Sequence, residues 1–159
     1  MHRSDDAPGD TPDDPLGQAI LELTSFINDP RQDWRMMAEA GLDLDPVFLP
    51  VLVRLGQSGP ASVVELSGQV GRDHSTISRQ LAKLEAAGLV ERAPSQADGR
   101  VRTARVTPAG EVAVAALSAA RKRLLDQVLA DWKPGERETF SRLFERFVEG
   151  VAASTKAGS

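Results

Sequence analysis

Apolar side chains recur along this chain at spacings of three and four, except in one central stretch where they alternate. Leu16, Ile20, Leu23 and Ile27 mark one face of a first helix that Pro30 interrupts, and residues 32–40 form a second helical stretch ending at Gly41. Pro46 opens a third, in which Val47, Val51 and Leu55 (Phe48 and Leu52 alongside) keep the spacing until Gly56, and Gly59-Pro60 closes it. Pro50 either bends the first turn of that helix or marks a later beginning. Ser62, with Glu65 three residues on, has the form of a capping box, and Val63, Leu66 and Val70 face inward before Gly71. After Gly71-Arg72-Asp73, Asp73 caps a further helix whose buried stripe is Ile77, Leu81 and Leu84 and which Gly88 ends. Two short helices across a glycine-containing turn predict a helix-turn-helix.

Beyond Gly88 the period changes. Residues 89–92 have the character of a short strand, 94–99 of a polar turn and 101–106 of a returning strand, which predicts a β-hairpin wing. Thr107-Pro108 then supplies a cap and a first-turn proline for a long Ala-rich helix running to about Trp132, with Val112, Leu117, Leu124 and Val128 on its apolar side. A last helix from about Glu136 carries Phe140, Phe144, Phe147 and Val151 at spacings of four, three and four. With Leu143 and Val148 beside them, these give more apolar width than a terminal helix needs against one neighbour, so a partner chain is the simplest cover. The fold class predicted is mainly α, an α+β winged helix-turn-helix of about six helices plus a small hairpin.

Composition narrows the function. A chain of 159 residues can fill one core unaided, and the absence of cysteine excludes a disulfide framework, a thiolate metal site and a thiol redox switch. Neither a signal-peptide core nor an apolar run of about 20 residues is present, so a cytoplasmic address and no membrane contact are expected. The two histidines, His2 in the head and His74 at a helix start, are too few for a zinc sensor, and no metal or cofactor is expected. No phosphate-binding glycine loop, inward carboxylate pair or Ser/His/Asp set argues for an enzyme.

The net charge of -4 hides an uneven distribution. Residues 1–48 hold three basic side chains against eleven acidic ones, whereas 72–105 hold seven basic against four acidic. A basic centre of this kind is the footprint of a nucleic-acid surface. At about 100° per residue, Ser75, Arg79 and Ala82 lie opposite the Ile77, Leu81, Leu84 stripe, with Thr76 and Lys83 on one flank. Arg79 can bond a guanine bidentately, Ser75 and Thr76 can reach bases or phosphates, Lys83 is placed for the backbone, and His74 faces DNA or belongs to the cap region. At the hairpin turn, Asp98-Gly99-Arg100 can fix the loop, while Arg100 and Arg102 can enter a minor groove. A merely solvated helix face and a solvated turn are the plain alternatives for each element alone.

The run Val63-Val-Glu-Leu-Ser-Gly-Gln-Val-Gly, then Ser75-Thr-Ile-Ser-Arg-Gln-Leu-Ala-Lys-Leu-Glu-Ala-Ala-Gly-Leu-Val-Glu-Arg92, Asp98-Gly-Arg100 and Val106-Thr-Pro-Ala-Gly110 resembles the multiple-antibiotic-resistance regulator (MarR) family of bacteria, most strongly over residues 47–110. The resemblance implies a sequence-specific transcriptional regulator, typically a ligand-responsive repressor, binding a pseudo-palindromic duplex as a homodimer. It places DNA contacts on the recognition helix 74–87 (the Ser75, Thr76, Ser78, Arg79 stretch, with Lys83 beyond) and on the wing 89–106, where Asp98 and Arg100 match the family's wing pair. Two departures are Val106 for the usual leucine and Gly99 where many members carry arginine.

The implied organisation is a disordered acidic tail (1–15), N-terminal dimerisation helices (16–45), a winged helix-turn-helix DNA-binding domain (46–107), C-terminal dimerisation helices (108–153) and a flexible tail (154–159). Leu16, Ile20, Leu23, Phe140, Phe144, Phe147 and Val151 would form the dimer interface. Phe26, Trp34, Phe48 and Arg54 lie in segments that can line a cleft for a small aromatic or phenolic effector. The competing reading is a winged-helix protein-interaction module without specific DNA binding.

Overall fold

Helix starts in this chain are written by acidic or hydroxyl caps followed by proline, and the computed structural model, which describes residues 14–95 and 99–157 with side chains to 154, follows them. Asp14 caps α1 (Pro15–Ile27) by accepting from the Gly17 amide at 2.9 Å, and Asp29 caps α2 (Pro30–Glu39) through the Arg31 amide. Pro46 does not begin an α-helix. It opens a tight 3-10 turn, Pro46–Phe48, capped by Asp45, and α3 (Leu49–Ser58) starts only afterwards with Pro50 in its first turn, where a missing amide hydrogen costs nothing.

Ser62 and Glu65 form the expected capping box at the head of α4 (Val63–Val70): each side chain bonds the other's backbone amide. Gly71, at φ 69°, adopts the left-handed conformation that stops α4 and turns the chain into α5 (His74–Ala86). Thr107 caps α6 (Pro108–Val128), and α7 spans Pro134–Ala157. Seven α-helices therefore stand among the described residues, one for each helical stretch of the sequence pattern and in keeping with the expected total of about six. α7 also continues past residue 154, where a tail was expected, because Ser154, Thr155, Lys156 and Ala157 contain no helix breaker.

The wing is an antiparallel pair, β2 (Val90–Pro94) with β3 (Arg102–Val106), in the register Val90↔Val106 to Pro94↔Arg102. Ala61–Ser62 adds a two-residue strand, β1, on the other side of β3, giving a three-stranded sheet that the sequence pattern did not reveal. For the order β1, β2, β3 along the chain, β3 is central.

The core gathers Met37 of α2, Val51, Leu52 and Leu55 of α3, Leu66 of α4, Ile77, Leu81 and Leu84 of α5, Val90, Ala104, and Ala113 and Leu117 of α6. On α6 the inward stripe is Gly110, Ala113, Leu117 and Ala120; of the expected run Val112, Leu117, Leu124 and Val128 only Leu117 is buried, while Val112 and Val128 are 70% and 72% exposed. Small residues face inward because neighbouring backbone comes close: a side chain on Gly110 would meet the Leu89 carbonyl oxygen at 2.0 Å. α1 contributes no buried residue, and along α7 every described side chain except Arg137 is exposed. The residues expected at a dimer interface, Leu16, Ile20, Leu23, Phe140, Phe144, Phe147 and Val151, all lie on these two outer helices with their apolar surface in solvent. Phe140 stacks on Phe144 at 5.4 Å, Phe144 on Phe147 at 6.4 Å, and Trp132 meets Phe140 edge-on.

Candidate nucleic-acid interface

The face of α5 opposite its buried stripe is set by its cap. Asp73 accepts the Thr76 amide at 2.8 Å, the Ser75 hydroxyl at 2.6 Å and the Thr76 hydroxyl at 2.6 Å. These bonds, the Ser75 hydroxyl first and Thr76 next, hold the Asp73 carboxyl far below the usual carboxylate range, so its negative charge sits against the positive end of the helix dipole. The hydroxyl hydrogens of Ser75 and Thr76 are thereby turned toward Asp73, leaving their oxygens as acceptors. Arg79 Nη2 donates to Thr76 Oγ1 at 3.3 Å, which draws the guanidinium along the same face.

Ser75, Arg79, Ala82 and Lys83 are exposed together on that face, and His74 is exposed at the helix start. Thr76 and Ser78 are half-buried at its edge. The Ser78 carbonyl accepts from Arg92 Nη2 at 3.1 Å, and Arg92 Nε lies 3.7 Å from Glu85 Oε2, so Arg92 of β2 straps the wing to α5. The sequence reading counted Arg92 with the basic centre and missed this inward role, which depends on a strand crossing a helix that is distant from it in the chain. Arg105 is likewise paired, with Glu91 at 2.7 Å. Arg100 and Arg102 are exposed near the hairpin turn, and Arg102 Nη2 donates to the Arg92 carbonyl at 3.4 Å. Asp98, like His2, lies outside the described residues.

The four cleft candidates are not brought together. Arg54 lines a cleft of about 280 Å³ with Asp33, Leu49, Val53, Val70 and Arg121, whereas Phe26 lines another of about 340 Å³ with Met36, Leu124, Val128 and the same Arg121. Trp34 is 59% exposed on α2 and Phe48 packs against the core, and neither is among the residues lining those two clefts. Arg121, shared by both, was missed because nothing in a helical pattern says which residues of α6 pass beside α2 and α3. Among the described residues no group of three or more His, Asp or Glu is placed to hold a metal, and no helix is long and apolar enough to cross a membrane.

A family model for the MarR family matches residues 47–101, which span the helix-turn-helix and the first strand of the wing. Over 133 residues the chain is 38% identical to the uncharacterized HTH-type transcriptional regulator YxaD of Bacillus subtilis (strain 168), covering 83% of this chain and 92% of that protein. The chain belongs to the MarR family. MarR-family proteins are DNA-binding transcription regulators, not enzymes. A more distant relative is the HTH-type transcriptional repressor IacR of Pseudomonas putida, 28% identical over 104 residues, covering 65% of this chain and 62% of that protein. In fold, the chain is similar to the structure of a MarR family protein from Bacillus stearothermophilus, with a TM-score of 0.75 at 21% identity over 86% of this chain and 95% of that one.

Proposed function

We propose that this MarR-family regulator is a cytoplasmic homodimeric repressor that places α5 of each protomer in successive major grooves of a pseudo-palindromic operator and brings its wing to the flanking minor groove. The observation that carries this reading is the α5 face itself: Ser75, Arg79 and Lys83 stand exposed on the side away from Ile77, Leu81 and Leu84, which are buried, with His74 exposed at the helix start. Arg79, oriented by its bond to the Thr76 hydroxyl oxygen, reads a base edge; Ser78, at the margin of that face, and Lys83 hold phosphates. Arg100 and Arg102 reach the minor groove, with Asp98 of the sequence reading assigned to fixing the turn. Two-fold symmetry sets the half-sites about 10 to 10.5 base pairs apart. The exposed apolar stripes of α1 and α7 support the dimer, and the name of the relative IacR supports repression over activation.

Release from DNA is assigned to a small aromatic or phenolic acid in the cleft beside Arg54 and Arg121, where Leu49, Val53 and Val70 offer apolar contact and the two guanidinium groups offer charge. The test is a fluorescence-anisotropy titration of the full chain against duplex from its own upstream intergenic DNA, across a salt series. Tight binding that weakens steeply with salt, and that the double substitution Arg79→Ala, Arg100→Ala abolishes, is the expected result. Equal, weak binding to any duplex would overturn the operator reading.

A further inference from the structure

The buried stripe of α5 contains one polar exception. Gln80, on the same side as Ile77 and Leu84, is 6% exposed, and its side chain reaches 33 residues back along the sequence: Nε2 donates to the Val47 carbonyl at 3.2 Å. Its Oε1 is buried with no hydrogen-bond partner. A buried amide with one unsatisfied oxygen is a poorer core residue than leucine, because the desolvation of that oxygen is not compensated. Stability does not account for glutamine at this position, and a tie to one particular carbonyl does.

That carbonyl belongs to the 3-10 turn Pro46–Phe48, between α2 and α3. α5 is held from the other direction by Arg92, which bonds the Ser78 carbonyl. Ser78 and Gln80 are about 200° apart around the helix axis. Polar ties on two sides fix the roll of a helix about its own axis, which apolar packing of Ile77, Leu81 and Leu84 leaves softer because dispersion contacts are not directional. A roll of about 20° at a side-chain radius of about 6 Å moves a contact by about 2 Å. That exceeds the width of the hydrogen-bond range, about 2.7 to 3.2 Å, within which a side chain such as Arg79 would have to meet a base edge.

From this we infer that Gln80 is a positioning residue for sequence recognition: through the Val47 carbonyl it references the roll of α5 to the α2–α3 junction, and it touches no DNA. The inference rests on α5 being the helix that reads the operator. Its signature is a separation of two quantities that a plain core residue would move together, since removing the amide relieves an unsatisfied oxygen while loosening the roll.

The experiment uses the full chain, a duplex that the unsubstituted protein selects from a random pool, and a scrambled duplex of the same length and salt. Gln80→Leu and Gln80→Met are compared with the parent. The expected result is a melting temperature equal to or above the parent's, scrambled-duplex affinity within about twofold, and a loss of about tenfold on the selected duplex, the scale of one base-edge contact. Unchanged affinity for the selected duplex overturns the inference. So does a loss that appears on both duplexes together with a lowered melting temperature, or a failure of both variants to fold, since each makes Gln80 a structural residue only. A parent protein that selects no duplex removes the operator reading, and this inference with it, before either variant is compared.

Discussion

The winged centre and the two outer helices use apolar residues in opposite ways. In the centre, Leu52, Leu66, Ile77, Leu81 and Leu84 are at most 1% exposed and every element contributes to one cluster. On α1 and α7, Leu16, Ile27, Phe140, Phe144 and Phe147 are 40% exposed or more, although their spacing along the helix is just as regular. Equal periodicity with unequal burial separates a face satisfied within the chain from one that needs a second surface. The centre closes its apolar faces within the chain, with Met37 of α2 and Ala113 and Leu117 of α6 completing the cluster, whereas the outer helices leave theirs uncovered.

Breaking the proposed dimer should have the largest effect. Phe140→Asp with Phe144→Asp is expected to convert the protein to a monomer in sedimentation and to lower operator affinity by at least about 100-fold, because two half-sites are then no longer held at once. Circular dichroism should retain the helical signal of the centre. Persistence of the dimer would place the interface elsewhere. Breaking the centre instead, Leu81→Ala removes a side chain that is 1% exposed and should cost about 3 kcal/mol in denaturant unfolding. Val128→Ala, at a side chain 72% exposed, serves as its surface counterpart, and a comparable loss there would mean that α6 is covered by a partner.

A smaller effect is expected at the cap of α5. The Asp73 carboxyl is lowered by the Ser75 and Thr76 hydroxyls, so its contribution is complete above the unfolded carboxylate value of about 3.9 and is lost as pH falls through the lower folded value. The difference in melting temperature between parent and Asp73→Ala should therefore hold constant above about pH 5 and shrink in acid below about pH 4. A difference independent of pH would show that the charge is irrelevant to the cap. Least of all should Glu91→Ala matter: its bond to Arg105 is short, 2.7 Å, but both side chains are about half exposed, so stability should change by no more than about 0.5 kcal/mol.

What could be foreseen from the residues was local. The caps at Ser62, Asp73 and Thr107, the stop at Gly71 and the stripe Ile77, Leu81, Leu84 are decided within four or five positions, and the structure contains them. The features that escaped depend on distant parts of the chain. β1 is two residues long, too short to alternate, and exists only because Ala61 meets Ala104. Arg92 and Gln80 are polar residues that a pattern of apolar spacing assigns to solvent, yet one grips Ser78 and the other Val47 across the fold. The inward line of α6 was misplaced because glycine and alanine carry little hydrophobic signal while permitting the closest approach.

The charge pattern has a consequence for how quickly the protein finds its target. Acidic Asp14, Glu22 and Asp33 lie on or at the heads of α1 and α2, where Asp29 and Glu39 are paired with Arg31 and Arg123, while Arg79, Lys83, Arg100 and Arg102 belong to α5 and the wing. A body polarised in this way would experience a torque as well as a pull in the field of a duplex. Encounters that present the acidic helices would be repelled and those that present α5 drawn in, so the proportion of productive collisions would rise. Because this steering acts through solvent over about a Debye length, near 8 Å at 0.15 M salt, the association rate should carry much of the ionic-strength dependence. The acidic caps ahead of Pro46, Asp14, Asp29 and Asp45, would then orient the approach of the protein as well as start its helices.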